Sequence, residues 1–206
     1  MMNLPSTTTL GNVAMRATTY FLLVIIAMHV LSPGIDPVNR PTSEYAIGPF
    51  GYLMTSAFVA LSVATWSLVL GLHRTLDPQG AQRIGLFFLG WFGIALLIAA
   101  VFQIDAEGAP DTFHGSVHRI SGPIAFLSLT LGTNFTTRLF RLHESWRRIS
   151  RVATVLALAM IPEFIAGGVT ASRGVGAGIA QRIMIATFAT WYLVVGARLR
   201  STDEGA

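Results

Sequence analysis

Neither cysteine nor lysine occurs anywhere in the 206 residues. The first absence excludes disulfides, thiolate zinc sites, thiol nucleophiles, thioether-linked haem and palmitoylation. The second excludes a Schiff base to retinal or pyridoxal phosphate, since both need a lysine amine. Charge of either sign is also scarce. Only 12% of the residues are charged, against roughly 25% in soluble domains. With 52% hydrophobic residues, the chain lacks the polar surface of a water-soluble globule and is composed for lipid.

What is present is a series of apolar runs: Ala17 to Leu31, Phe50 to Leu72, Ile84 to Ile104, Val117 to Phe135, Val152 to Val169 and Ile179 to Val195. Each approaches the roughly 20 residues that a helix needs to cross a bilayer. The expectation is an all-α polytopic membrane protein, a bundle of six transmembrane helices. Its parts are a short polar N-terminus at 1–16, one transmembrane domain at 17–198 and a polar tail at 199–206. The run after Arg16 has no convincing small-x-small cleavage site behind it, so it reads as a retained first span.

All 14 basic residues are Arg, and their distribution orients the bundle. Arg16, Arg74, Arg83, Arg138, Arg141, Arg147, Arg148, Arg151, Arg198 and Arg200 fall at one end, against Arg40, Arg119, Arg173 and Arg182 at the other. The positive-inside rule then puts both termini in the cytoplasm and the loops after spans one, three and five outside a cell membrane. Topology accounts for the net charge of +4, so no nucleic-acid partner is expected; the partners are membrane lipids and a hydrophobic small molecule. The Arg138 to Arg151 cluster reads as headgroup anchors.

The outward loops hold most of the acids, and the richest stretch is Phe102 to Arg119. With Asp111 as an N-cap after Pro110, His114 and His118 fall at i and i+4 on one helical face. Neutral imidazoles at that spacing can chelate one divalent metal ion, zinc or iron, with Asp105 or Asp111 as third ligand or supporting partner. A metal-free alternative makes His118 a general base oriented by Asp105, with Arg119 or Arg182 holding an anion. The lone imidazoles His29, His73 and His143 do not give the paired axial ligands at two depths that transmembrane haems require.

Glu163 stands inside the fifth apolar run beside Pro162, where a carboxylate is costly unless protonated, paired or facing a wet cavity. It is either a functional acid or a structural partner of Arg182 or Arg173. Glu44 and Tyr45 sit close to the start of span two, where they can complete an outward site. The Gly174 to Gly178 loop lacks the lysine and strand of a phosphate loop and reads as close packing. Phe87, Phe88, Trp91 and Phe92 read as lipid-facing or packing groups. Ile47-Gly48-Pro49-Phe50 and Ser121-Gly122-Pro123-Ile124 raise the alternative of an internal duplication.

Ser43 to Gly48, Phe102 to Asp105 with His114 and His118, and Gln181-Arg182-Ile183 ahead of a span with Trp191 form a pattern over roughly Ala17 to Arg198. The chain resembles the six-span bacterial and archaeal membrane family catalogued as domain of unknown function nine-nine-eight. That resemblance implies six membrane helices with polar motifs near the outward face, and no particular activity. A looser likeness is to membrane metal hydrolases of the ceramidase and adiponectin-receptor type; those have seven spans and a further His ligand, which this chain lacks.

Two functions remain open at this level. One is an enzyme acting on a lipid or other hydrophobic substrate, either hydrolase-like with a metal at His114, His118 and Asp105, or a metal-free acid–base cyclase or isomerase of a terpenoid-like molecule. In both versions Asp105, His118, Glu163 and Arg182 are the catalytic candidates, and Glu44, Tyr45 and Arg119 bind substrate. The other is a non-catalytic protein that binds lipid or a partner, or carries a proton or solute.

Overall fold

The computed structural model describes residues 5–201, so the outermost parts of the expected polar ends lie outside the described residues. Six helices make up the described chain: α1 (Thr7–Leu31), α2 (Gly51–Leu76), α3 (Ile84–Val101), α4 (Phe113–Phe140), α5 (Glu144–Arg173) and α6 (Ala177–Arg200). Short 3-10 turns at Thr42–Ala46 and Gly80–Arg83 interrupt two loops.

Most helices outrun the apolar stretch that announces them, because a cap and not a change of polarity ends a helix. Ser6 accepts a 3.1 Å hydrogen bond from the Thr9 amide, and α1 accordingly starts ten residues ahead of its apolar run. At the other end of the bundle Gly174, at φ 69°, terminates α5. Arg138 and Arg147 to Arg151, expected in a loop, are therefore helical. Gly48-Pro49 precedes α2 whereas Gly122-Pro123 lies inside α4, so the two segments are not structural equivalents.

Each helix packs on its neighbours in chain order, and α6 returns to α1, which closes a ring; α2 also reaches α6 across it. Close backbone approach closes the α1–α6 seam. A Cβ on Gly11 would come within 2.6 Å of the Gly196 carbonyl, so only glycine fits there. Along α2 and α3 the Ser62 hydroxyl donates to the Gly93 carbonyl at 2.8 Å. Asn134 on α4 donates to the Ala157 carbonyl of α5 at 2.7 Å.

Inside the ring the half nearer the termini is filled. Phe140 stacks on Trp146 at 4.7 Å and lies 6.2 Å from Trp191, all three fully buried. The Trp191 indole donates to Thr137 at 3.0 Å, and Tyr192 shares a 3.0 Å hydrogen bond with Thr65. Farther along, Phe188 makes ring contacts with Phe21 at 6.1 Å and Phe92 at 6.0 Å. Beyond that layer the interior is open, and the site lies there.

Five of the six helices, all but α4, are long and apolar enough to cross a membrane. The exception carries a run of Ser, Thr and Asn, of which several return to the carbonyl one turn back: Thr130 donates to Phe126, Thr133 to Leu129 and the Asn134 amide to Thr130. Such bonds satisfy the side chain within its own helix.

Candidate functional site

Phe188, Phe92, Phe21, Phe58 and Leu61 floor a cavity of about 550 Å³ that opens toward the end opposite the termini. The volume falls inside the roughly 300–1,000 Å³ range of small-molecule sites. Phe92, read from the sequence as a lipid-facing or packing group, is 2% exposed and belongs to this floor.

Glu163 on α5 reaches the cavity wall. Its Oε1 accepts from the Thr187 hydroxyl of α6 at 2.7 Å. Its Oε2 is buried and has no hydrogen-bond partner among the described residues. The alternative of a structural pair with Arg182 or Arg173 is not formed among the described residues. A buried acceptor left unmade costs about 1–3 kcal/mol, so the vacant oxygen marks a place where a ligand gains more than it would elsewhere on the wall.

Arg182 is occupied otherwise. Its guanidinium donates to His29 Nε2 at 3.0 Å, to the Arg40 carbonyl at 2.9 Å, to the Gly178 carbonyl at 3.1 Å and to the Tyr45 hydroxyl at 3.0 Å. His29 in turn holds Ile25 O at 2.7 Å through Nδ1. That places the ring proton on Nδ1 and leaves Nε2 as acceptor. One planar donor fork thus ties α1, the 32–50 loop and α6 together, which a point charge would not. Tyr45, a candidate for substrate binding, is fully buried and works inside this knot.

The same loop is held at other points. Gln181 Oε1 accepts from the Thr42 amide at 2.7 Å and the Thr42 hydroxyl at 3.0 Å. Ile179 N donates to the Val38 carbonyl at 2.9 Å. Gly178 lies directly beneath Pro37 and Arg40, where a Cβ would meet the Pro37 carbonyl at 2.6 Å. Above the cavity Arg40 donates to Glu44 at 2.6 Å and also pairs with Glu107 of the 102–112 loop. Glu44 is 7% exposed, so its charge is spent on Arg40. Arg40, Thr187 and the His29–Arg182 link had no signal in the sequence, because each depends on partners far along the chain.

Around α4 the helix starts one residue later than expected. Thr112, not Asp111, is the N-cap, its hydroxyl accepting from the Gly115 amide at 3.0 Å. Asp105 explains the shift: it accepts from the Thr112 amide at 3.0 Å and the Thr112 hydroxyl at 2.7 Å, and its carboxylate fills the space over Gly115. Those two bonds from Thr112 hold the Asp105 carboxyl below its ordinary range. Asp111 pairs instead with Arg119 at 2.8 Å, and this hydrogen bond lowers it as well.

The two imidazoles at i and i+4 have different surroundings. His114 is exposed and packs its ring against Phe102 and Phe113. His118 is 8% exposed and lines the cavity, with Nδ1 2.8 Å from the Phe102 carbonyl. An Nδ1–H donor leaves the Nε2 lone pair for the cavity. Among the described residues no three His, Asp or Glu side chains are gathered as a metal site. Of the sequence candidates the cavity brings together Glu163, His118, Arg119 and Glu44, and leaves Asp105, His114, Tyr45 and Arg182 outside its lining.

A ring of long apolar helices around an internal chamber defines a multi-pass helical membrane protein. The chain belongs to the family described as protein of unknown function (DUF998), which it matches over residues 15–198. No curated protein and no solved structure matches it.

Proposed function

We propose that this chain is a six-span membrane protein that binds an amphipathic hydrophobic molecule in the central cavity and handles protons on it with Glu163 and His118. The observation that carries the reading is the buried, unpartnered Oε2 of Glu163 on the wall of an otherwise apolar chamber. The His118 Nε2 lone pair is a base on the same lining. Acid–base chemistry is the version favoured over a metal centre, because Asp105 is committed to Thr112 and His114 packs outside the lining.

Six spans follow if α4 crosses as well. At 28 residues it extends about 42 Å, and the i−4 hydrogen bonds of its hydroxyls lower the cost of their insertion. Ten Arg at the termini end against four at the site end favour cytoplasmic termini and a site that opens outward.

Equilibrium binding of a solvatochromic apolar probe to the protein in nanodiscs tests the reading. Wild type binds one probe saturably, and long-chain alcohols displace it. Ala99→Trp, which fills the cavity from its α3 wall, abolishes binding. Glu163→Leu, which removes the polar atoms, weakens alcohol binding by about tenfold, the loss of one hydrogen bond of roughly 1.4 kcal/mol. Binding unchanged in Ala99→Trp would show that the chamber is not the site.

A further inference from the structure

We infer that the cavity opens sideways into the bilayer between α4 and α5, and that the molecule entering by this cleft is a neutral, hydroxyl-bearing membrane lipid. The inference rests on the cavity-binding reading above and adds the route and the ligand class.

The two helices are joined only along part of their length. Every buried residue of α5 lies between Trp146 and Met160: Trp146, Ser150, Ala153, Ala157 and Met160. There Asn134 and Thr133 of α4 bond to Ala157 and Met160. Past Met160 no residue of α5 is buried, and Pro162 follows at once. On the facing stretch of α4, Pro123 likewise sits inside the helix.

Small residues line the gap so formed. Gly122 and Pro123 of α4 and Gly167 and Gly168 of α5 all line the cavity, and Pro123 and Gly168 are exposed. Wall residues this accessible lie at a mouth of the chamber and not in its closed interior. A Cβ on Gly122, Gly167 or Gly168 would meet nothing within 4 Å, so the space is open and not the tight approach of a packed seam.

The opening faces lipid. Exposed Ile120 and Ile124 flank it on α4, and Ile165 and Val169 on α5. Gly122 lies nine residues into α4 and Glu163 ten residues before the end of α5, which is about 14 Å and 15 Å beneath the helix ends. If those ends mark the interface, the cleft lies within a hydrocarbon core about 30 Å thick. A chain of that core can slide in without crossing water.

Charge selects the head. At the cavity mouth Arg40 is closed on by Glu44 and Glu107, and Arg119 by Asp111, two cations against three carboxylates. Neither arginine that lines the cavity is left unpaired for a phosphate. The open polar position on the deep wall is the Glu163 Oε2, a hydrogen-bonding partner for a hydroxyl. A long-chain alcohol, diglyceride or prenol satisfies both conditions; an anionic phospholipid fails on its charge.

Photo-crosslinking in proteoliposomes tests this with a diazirine-bearing long-chain alcohol, beside an anionic phosphatidylglycerol carrying the same photoreactive chain. The alcohol is expected to label peptides 121–126 and 163–171. Gly122→Leu or Gly168→Leu, each of which plugs the cleft without an internal clash, should cut labelling by about tenfold. Val155→Leu, exposed on the packed stretch of α5 away from the cleft, should leave it unchanged. Labelling retained in both glycine variants but lost in Ala99→Trp would overturn the lateral route and leave the cavity reading standing. Labelling retained in Ala99→Trp would remove both. Equal labelling by phosphatidylglycerol would overturn the neutral-lipid assignment.

Discussion

Arg182 is the residue whose role changes most between sequence and structure, and its removal is the sharpest test of the account. Arg182→Ala deletes four hydrogen bonds, to His29, Arg40, Gly178 and Tyr45. Bonds from a charged donor contribute about 1.5 kcal/mol each or more, and water admitted to the half-buried position recovers roughly half, which leaves a loss of about 3 kcal/mol. For a chain of this size that lowers the thermal midpoint by on the order of 9 °C. Arg182→Lys should recover no more than about 1 kcal/mol, because one ammonium cannot meet acceptors on three sides. Arg173→Ala, an exposed control, should stay within about 0.5 kcal/mol of wild type. Intrinsic tryptophan fluorescence on heating in detergent is the assay, with probe binding measured on the same samples. A loss under about 1 kcal/mol for Arg182→Ala, with probe binding abolished, would refute the reasoning. Such a result would return Arg182 to the ligand-binding role expected from its position in the sequence.

Two further outcomes follow from the local geometry. Asp105 has its carboxyl lowered from 3.8 by the Thr112 hydrogen bonds, so its contribution to stability is present above that pH and lost as pH falls through the depressed folded value. The thermal midpoint of wild type should therefore drop more than that of Asp105→Asn between about pH 6 and about pH 3, and equal drops would mean that the cap is not formed in solution. Separating the two imidazoles, His118→Ala should weaken binding of long-chain alcohols while His114→Ala leaves it intact; near-stoichiometric zinc in purified wild type, lost in either variant, would instead establish the metal site.

How much of this was legible in the sequence depends on the range of the interaction. Helix number and rough position follow from apolar runs, since burial in lipid needs about 20 consecutive residues whatever the partners are. Helix ends are less legible: Thr7 to Arg16 carries no apolar run, yet α1 includes it because Ser6 caps the helix and Gly11 seats it against α6. The cap of α4 was misplaced by one residue because Asp105, seven residues upstream, competes for the Thr112 amide. Glu163 was readable as an acid in an apolar run. Its partner was not, since Thr187 is 24 residues away and nothing distinguishes it from the other threonines. Arg182 shows the same limit at greater range: its strongest ties are 137 to 153 residues distant.

These long-range ties also explain why the site is a chamber and not a core. Arg182, Gln181 and Gly178 anchor the 32–50 loop across the end of the bundle, so α1, α2 and α6 are fastened there by hydrogen bonds together with the buried Met28, Tyr45 and Met54. At the opposite end Phe140, Trp146 and Trp191 fill the ring with aromatic volume. Between a strapped end and a packed end, the remaining helix pair, α4 and α5, is fastened at the packed end by Asn134 and left unfastened above Met160. A ring closed everywhere else concentrates its freedom in that one seam. Replacing Asn134 by Leu removes the side-chain tie that defines where the seam begins, and should loosen α5 without disturbing the Arg182 strap. Hydrogen exchange checks this: amides of 150–160 should lose protection in Asn134→Leu while those of 177–185 keep theirs, and loss at both would mean that the two ends of the ring are not independently held.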